Sequence, residues 1–366
     1  DVTKENYKKY FIFNDCYTDV LDFCDSEGQK QLRTAIVFNN NNEILNSHLS
    51  GRNAAAFASP LVFEGSWDTP GYIRQGTAVF GTSWQHLQTV GDEVGLFVHE
   101  LGHLLGLSHL SLNQQLLSST SNGNTFYLAT MQTKGTASFA QGLSKSATLN
   151  PDDIAGISVL YPGTHFHTET ASIRGTVLKA DGTPMTYANV VVRNVNDPWC
   201  EAYSFLSGRS CETGSTPFCE ESGRADGAFL IQGLSPGTYT VEVEGLRKDI
   251  ADGMSPEIYE SSFPGEAEFW NERDAADEDP LTATPLTLRA GEEHSDTTIV
   301  LSSTTGDPLS WGIAKMIPET HFIRKEDSIC KAPLADYNAL IGVAPDEEAE
   351  PPGGGCSLLP GLSADR

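Results

Sequence analysis

Residues 99–109 read HELGHLLGLSH, the pattern H-E-x-x-H-x-x-G-x-x-H. His99 and His103 are four positions apart, so on a helix they share one face, one turn from each other. Two imidazoles placed this way reach one ion at about 2.0–2.1 Å. Glu100 stands beside the first histidine. Its carboxylate is not a ligand in this arrangement but a proton acceptor beside a water on the metal. Gly106 can adopt a left-handed conformation at the helix end, so that the chain turns sharply and returns His109 as a third ligand. Three nitrogens leave the fourth position open for water, as a catalytic zinc site requires. The chemistry this arrangement offers is a metal-acidified water with a carboxylate proton acceptor beside it. Histidine fills nine of 366 positions, so each further histidine at a fixed place cuts chance matches about 40-fold.

These residues need elements to hold them. Residues 94–105 (VGLFVHELGHLL) are apolar at helical spacing, with Asp92 as the expected N-cap. Residues 11–13 and 34–38 (TAIVF) read as short strands, the second stopped by the asparagine run 39–42. Residues 72–80 (YIRQGTAVF) read as a strand interrupted by Gly76. Residues 150–161 (NPDDIAGISVLY) carry a helix start: Asn150 as cap, Pro151 at the first helical position, and Asp152 and Asp153 in the first turn. Pro162 and Gly163 stop it.

From about residue 172 the texture changes to short β-branched runs divided by Gly, Pro and Asp turns. Residues 172–178, 188–193, 228–231, 238–243, 286–288 and 297–301 read as the strands of an antiparallel sandwich. Two insertions interrupt it. One holds Cys200, Cys211 and Cys219; the other, residues 265–280 (GEAEFWNERDAADEDP), is acidic. It offers the oxygen ligands that Ca²⁺ takes but lacks the D-x-[DN]-x-[DN]-G loop, and is read as a solvated acidic loop with a Ca²⁺ site as the alternative. His165 and His167 read as linker residues. From residue 303 periodicity is lost, and the end is acidic and then rich in Pro and Gly.

Forty-nine acidic against 23 basic residues give a formal net charge of −26. That argues against nucleic acid, whose binding needs a basic surface, and disfavours anionic lipid. No stretch of about 18 apolar residues exists, so no transmembrane helix is expected. The chain opens on Asp1 and a polar run, and any export signal or pro-segment is expected to lie outside this sequence. None of the seven cysteines forms a CxxC pair, and the spacings Cys16/Cys24 and Cys211/Cys219 suit disulfide loops of an exported protein. Seven is odd, and Cys356, in the run PPGGGC, is the candidate left over.

At residues 99–109 the chain resembles the metzincin metallopeptidases, and within them the matrixins. Residues 129–132 (ATMQ) place Met131 where that family has its Met-turn, a methionine beneath the metal. Residues 149–161 resemble the closing helix of matrixin catalytic domains, in which Asp152 and Asp153 would brace the Met-turn or the N-terminus. The resemblance covers about residues 30–162. It implies an α+β catalytic domain with a mixed twisted sheet and an active-site helix. It implies one catalytic Zn²⁺ per chain on His99, His103 and His109, with Glu100 catalytic and Met131 structural. Substrates would be proteins or peptides, lying beside strand 72–80 as an edge strand. Gln132 and Thr133 follow Met131, so no tyrosine ligand is expected there. The chain departs from the family in having no cysteine-switch motif and no evident second, structural zinc cluster. His48 and His86 are isolated and read as surface residues, and the family's first strand and helix are not evident in residues 1–33.

Residues 172–194 (SIRGTVLKADGTPMTYANVVVRN) and 223–245 (GRADGAFLIQGLSPGTYTVEVEG) resemble carboxypeptidase-regulatory-like and Cna-B-like sandwiches, read as a spacer or stabiliser. The expected organisation is a multidomain chain: residues 1–162 a matrixin-like zinc peptidase, 163–171 a linker, 172–302 an all-β sandwich and 303–366 a C-terminal extension. PPGGGC resembles part of the C-terminal sorting signals of exported bacterial proteins, which implies an extracellular or cell-surface location and attachment through the tail; the alternative reading is a plain linker. The competing reading is a non-catalytic surface or adhesion protein that uses the zinc site structurally. No oligomeric state is read from the sequence.

Overall fold

The computed structural model describes residues 35–39, 42, 45, 55–64, 72–82, 90–114, 128–132, 149–208, 226–246, 263–272, 275–277 and 282–302. The expected strand 11–13, Cys16, Cys24, His48, His86, Cys211, Cys219, Cys330 and the tail from residue 303 with Cys356 lie outside the described residues.

Strands β1 (Ala35–Asn39), β2 (Ala56–Glu64) and β3 (Tyr72–Gly81) form a mixed sheet in the order β1-β3-β2, with β1 parallel and β2 antiparallel to β3. The expectation that residues 72–80 form an edge strand is therefore wrong: β3 has a neighbour on each side, and among the described strands β2 is the outer antiparallel one. The sequence reading missed β2 because Pro60 breaks its apolar run, and proline cannot donate to a ladder. In the structure the pairing register shifts between Pro60 and Val62.

Helix α1 (Val90–Leu104) packs on this sheet, with Leu96 and Leu104 in one apolar cluster with Ala56, Ala78 and Phe80. Phe80 and Phe97 pack with tilted rings, their centroids 4.2 Å apart. Burying a side chain the size of Phe80 contributes roughly 1.5–3 kcal/mol, which fixes α1 to the sheet well beyond its own helix propensity. Asp92 lies inside the helix, which begins at Val90, two residues before it, and so is not its cap. Helix α2 (Pro151–Leu160) starts as read, with Asn150 extended at the cap, Pro151 at the first position, and the Asn150 amide donating to Asp153 at 2.9 Å. In the linker, a single turn α3 (Phe166–Glu169) buries Phe166.

The second half holds two sheets around one core. The larger has the order β10-β9-β8-β5-β6, with a further strand β11 on β8. Its members are β5 (Asn189–Asn194), β6 (Ala202–Leu206), β8 (Gly237–Glu244), β9 (Glu268–Asn271), β10 (Ala275–Asp277) and β11 (Leu286–Leu288). The smaller has the order β12-β4-β7, from β4 (Ala171–Leu178), β7 (Ala228–Leu234) and β12 (Glu293–Val300). Ile173, Val177, Phe229, Ile231 and Ile299 of the smaller sheet meet Val190, Val192, Val241, Val243 and Trp270 of the larger. The expected wholly antiparallel arrangement needs correction, because β12 runs parallel to β4.

Both segments read as insertions contribute strands. The first supplies β6, and Cys200 just before it is buried and disulfide-bonded. The second supplies β9 and β10, so residues 268–271 are not a solvated acidic loop. Glu268 is buried and accepts the Ser302 amide at 2.6 Å. The acidic count of this stretch obscured the EFWN run that pairs with β8.

All described residues fall in one compact unit, Asp1–Lys331. Among them no helix is long and apolar enough to cross a membrane.

Candidate metal centre

α1 delivers His99 and His103 from consecutive turns. It then ends in a Schellman motif: the Gly106 amide donates to His103 O and the Leu107 amide to Gly102 O, both at 3.0 Å. Gly106 sits at φ +97°, as its position in the motif demands. This turn reverses the chain so that Leu107 O accepts from His103 Nδ1 at 2.8 Å, and two residues on His109 returns beside the helix.

The Nε2 atoms of His99, His103 and His109 form a triangle with every side 3.1 Å. His99 Nδ1 donates to Thr130 O at 2.6 Å. Carbonyls only accept, so in His99 and His103 the proton sits on Nδ1 and the Nε2 lone pair faces inward. Burial lowers the pKa of His99 to about 4, and that of His103 in the same direction, so both rings are neutral near pH 7. Lone pairs turned on one another at this distance repel unless a cation lies between them. Nitrogens that share one ion at about 2.0–2.1 Å are themselves about 3.3–3.4 Å apart in an ideal tetrahedral site, and the triangle comes close to that spacing. The three histidines can therefore hold a metal ion, and among the described residues they are the only such group of His, Cys, Asp or Glu. His165 and His167 are exposed on α3 and its cap, away from this group.

Glu100 lies one residue from the first histidine and is 4% exposed. Its Oε2 has no hydrogen-bond partner, and burial pushes its pKa from 4.5 to about 8.

Met131 is buried beneath the helix. A Cβ built on Gly102 would fall on Met131 Sδ, so the small residue between the two α1 histidines is what lets the methionine approach. The Asp153 carboxylate holds the Met131 turn by accepting the amides of Thr130 at 2.8 Å and Met131 at 3.0 Å, and the Thr130 carbonyl in turn orients His99. Asp152 points elsewhere: its Oδ1 accepts the Ser204 amide of β6 at 2.7 Å. The structure thus brings together all five residues read from the sequence, His99, Glu100, His103, His109 and Met131. It adds Gly102 and Thr130, which the reading missed. Gly102 was visible only as a helix-interior glycine, a residue that costs about 1 kcal/mol there and so signals a packing reason.

No family model matches the chain, and no curated protein matches it. Among solved structures, a crystal structure of (S)-allantoin synthase is similar at 12% identity, over 60% of this chain and 85% of that one, with a TM-score of 0.17. A likeness that slight says nothing about the activity of this chain.

Proposed function

We propose that this chain is a zinc-dependent endopeptidase of the matrixin-like metzincin type, acting outside the cell or at its surface on protein or peptide substrates. The observation that carries the reading is the partnerless, buried carboxylate oxygen of Glu100 beside three inward-facing imidazoles. A site that merely stapled the fold would not need a buried acid there, since leaving it unpaired costs about 1–3 kcal/mol or more. Zinc held by His99, His103 and His109 would supply Lewis acidity to a water and to the scissile carbonyl.

The remaining work belongs to the chain. Glu100 accepts the proton of the attacking water at its free Oε2 and returns it to the leaving amine nitrogen as the C–N bond breaks. Burial alone favours the protonated form of Glu100, and a cation held by the three histidines would favour the carboxylate that the first half of that exchange needs. Thr130 O and Leu107 O keep the His99 and His103 rings in the ligating tautomer. An extended substrate would add to the outer strand β2 by main-chain pairing, the place first read for residues 72–80. The disulfide at Cys200 agrees with an exported protein.

Incubation with an unfolded protein or a peptide library, with and without a chelator, tests the reading. Wild type is expected to cleave, chelator to abolish cleavage, and Glu100→Ala to reduce it by at least about 100-fold while retaining the metal, the lower end of what general acid–base catalysis contributes. Metal-loaded wild type as inert as Glu100→Ala would sink it in favour of the structural-metal, adhesion reading.

A further inference from the structure

His99 and His103 are fixed by α1, but His109 stands on an arm with no regular structure of its own. Strand β5 shows what holds that arm. In a two-sheet sandwich a strand turns one face to the core and the other to solvent. Val190 and Val192 face the core, yet Asn189, Val191 and Arg193 on the opposite face are at most 2% exposed. They are covered by residues 110–114, the five that follow His109.

The grip is specific at each step. Asn189 Nδ2 donates to Ser111 O at 2.9 Å. Leu112, fully buried, packs on Val191 of β5 and Ala202 of β6. Arg193 Nη1 donates to Asn113 Oδ1 at 2.6 Å, and Asn113 Nδ2 donates to Trp199 O at 2.9 Å. Gln114 Nε2 reaches Glu244 of β8 at 2.8 Å and Gly245 O at 3.0 Å. Arg193 is itself neutralised by Glu242, with Nε to Oε1 at 2.6 Å and both side chains at most 2% exposed. A buried ion pair is weak evidence for stability, and its best-attested use is to fix register. Here it fixes which arm residue meets β5. A slip of one residue would take the Asn113 carbonyl oxygen away from Arg193 and leave a buried donor unmet. On its other side the arm is tied to the Met131 turn, the Leu110 amide donating to Met131 O at 3.1 Å.

We infer that the β5–β8 face of the sandwich positions the third metal ligand, with Asn113 and Asn189 as positioning residues for His109. The inference rests on the three histidines being a metal centre, and not on the peptidase reading. It makes the second half of the chain a part of that centre's scaffold in place of the spacer read from sequence.

The test uses the full chain. Asn113→Gly removes the side-chain hydrogen bonds to Arg193 and Trp199 while tolerating the φ of +55° that Asn113 adopts. Asn189→Ala releases Ser111 from the other end and carries the comparison if the first variant does not fold. Ile299→Ala, in the sandwich core and away from the arm, controls for general destabilisation. Zn²⁺ affinity is measured by competition with a chromogenic chelator, the visible spectrum is recorded with Co²⁺ in place of zinc, and thermal unfolding confirms that each variant is folded. The arm variants are expected to bind Zn²⁺ about tenfold more weakly or worse and to alter the Co²⁺ spectrum. Ile299→Ala is expected to lower Tm with affinity and spectrum unchanged. Wild-type affinity and spectrum in the arm variants, an equal loss in Ile299→Ala, or no metal binding by wild type would each overturn the inference. A wild type that binds metal and cleaves nothing would remove the peptidase reading and leave this one standing.

Discussion

Burial moves Glu100 and His99 in opposite directions, the carboxyl from 4.5 up to about 8 and the imidazole from 6.5 down to about 4. Both shifts favour the neutral form, as loss of water around an ionisable group must. A cation among the histidines reverses the preference for Glu100, because a nearby positive charge favours the carboxylate. The consequences for the metal-stripped protein can be signed. Glu100 has a raised pKa, so its contribution to stability is full below 4.5 and is lost as pH rises toward 8. His99 has a lowered pKa, so the unfolded chain binds the extra proton between about 4 and 6.5, and stability rises with pH across that window. Asp152, also raised to about 8 by burial, has the sign of Glu100 but is common to any pair of proteins that differ only at position 100. Metal-stripped Glu100→Gln should therefore gain in Tm on metal-stripped wild type as pH goes from 5 to 8, by several degrees, at about 2–4 °C per kcal/mol. Thermal melts across that range decide it, and a difference that stays flat with pH would show that burial does not hold the proton on Glu100.

At the scale of elements, the site is a helix, a turn and a floor that meet at Gly102. The helix and its end were legible from local signals: His spacing, the apolar repeat of residues 94–105, and a glycine where the chain must turn left-handed at Gly106. The helix start at Asn150 and Pro151 was legible for the same reason. What was not legible depends on partners distant in sequence. Pro60 hid β2, whose existence rests on pairing with β3. Glu268 reads as a solvated charge until β9 lies on β8. Asp92 looks like a cap, but the helix continues past it toward its N-terminus. Gly102 has no local reason to be glycine, and its reason is Met131. Gly102→Ala should cost about 1–3 kcal/mol through overpacking against that sulfur and displace the floor from beneath His99 and His103. Chemical denaturation with the metal present, together with the zinc dissociation constant, checks this. Wild-type stability and affinity would mean that the methionine does not need the close approach.

At the scale of the molecule, the run NVVVRN in β5 already carried the signal that the two halves are joined. A strand with one solvated face alternates, whereas a continuous apolar run is buried on both. In β8, Glu242 and Glu244 are buried, the first paired with Arg193 and the second accepting from Gln114 of the arm that follows His109. Asp152 and Asp153 divide the same labour, one tied to β6 and the other to the Met131 turn. The first half supplies all three histidines and the second half grips the arm that carries His109, and one ion per chain is expected, with hydrolysis that depends on Glu100. The most direct test is to strip the full chain of metal and add back Zn²⁺ in small steps, following bound zinc and peptide cleavage together in wild type and Glu100→Gln. Both are expected to bind one equivalent, and only wild type to gain cleavage, rising in step with occupancy and levelling at one zinc per chain. Zinc bound to one equivalent with no cleavage by wild type, or equal cleavage by Glu100→Gln, would contradict this expectation.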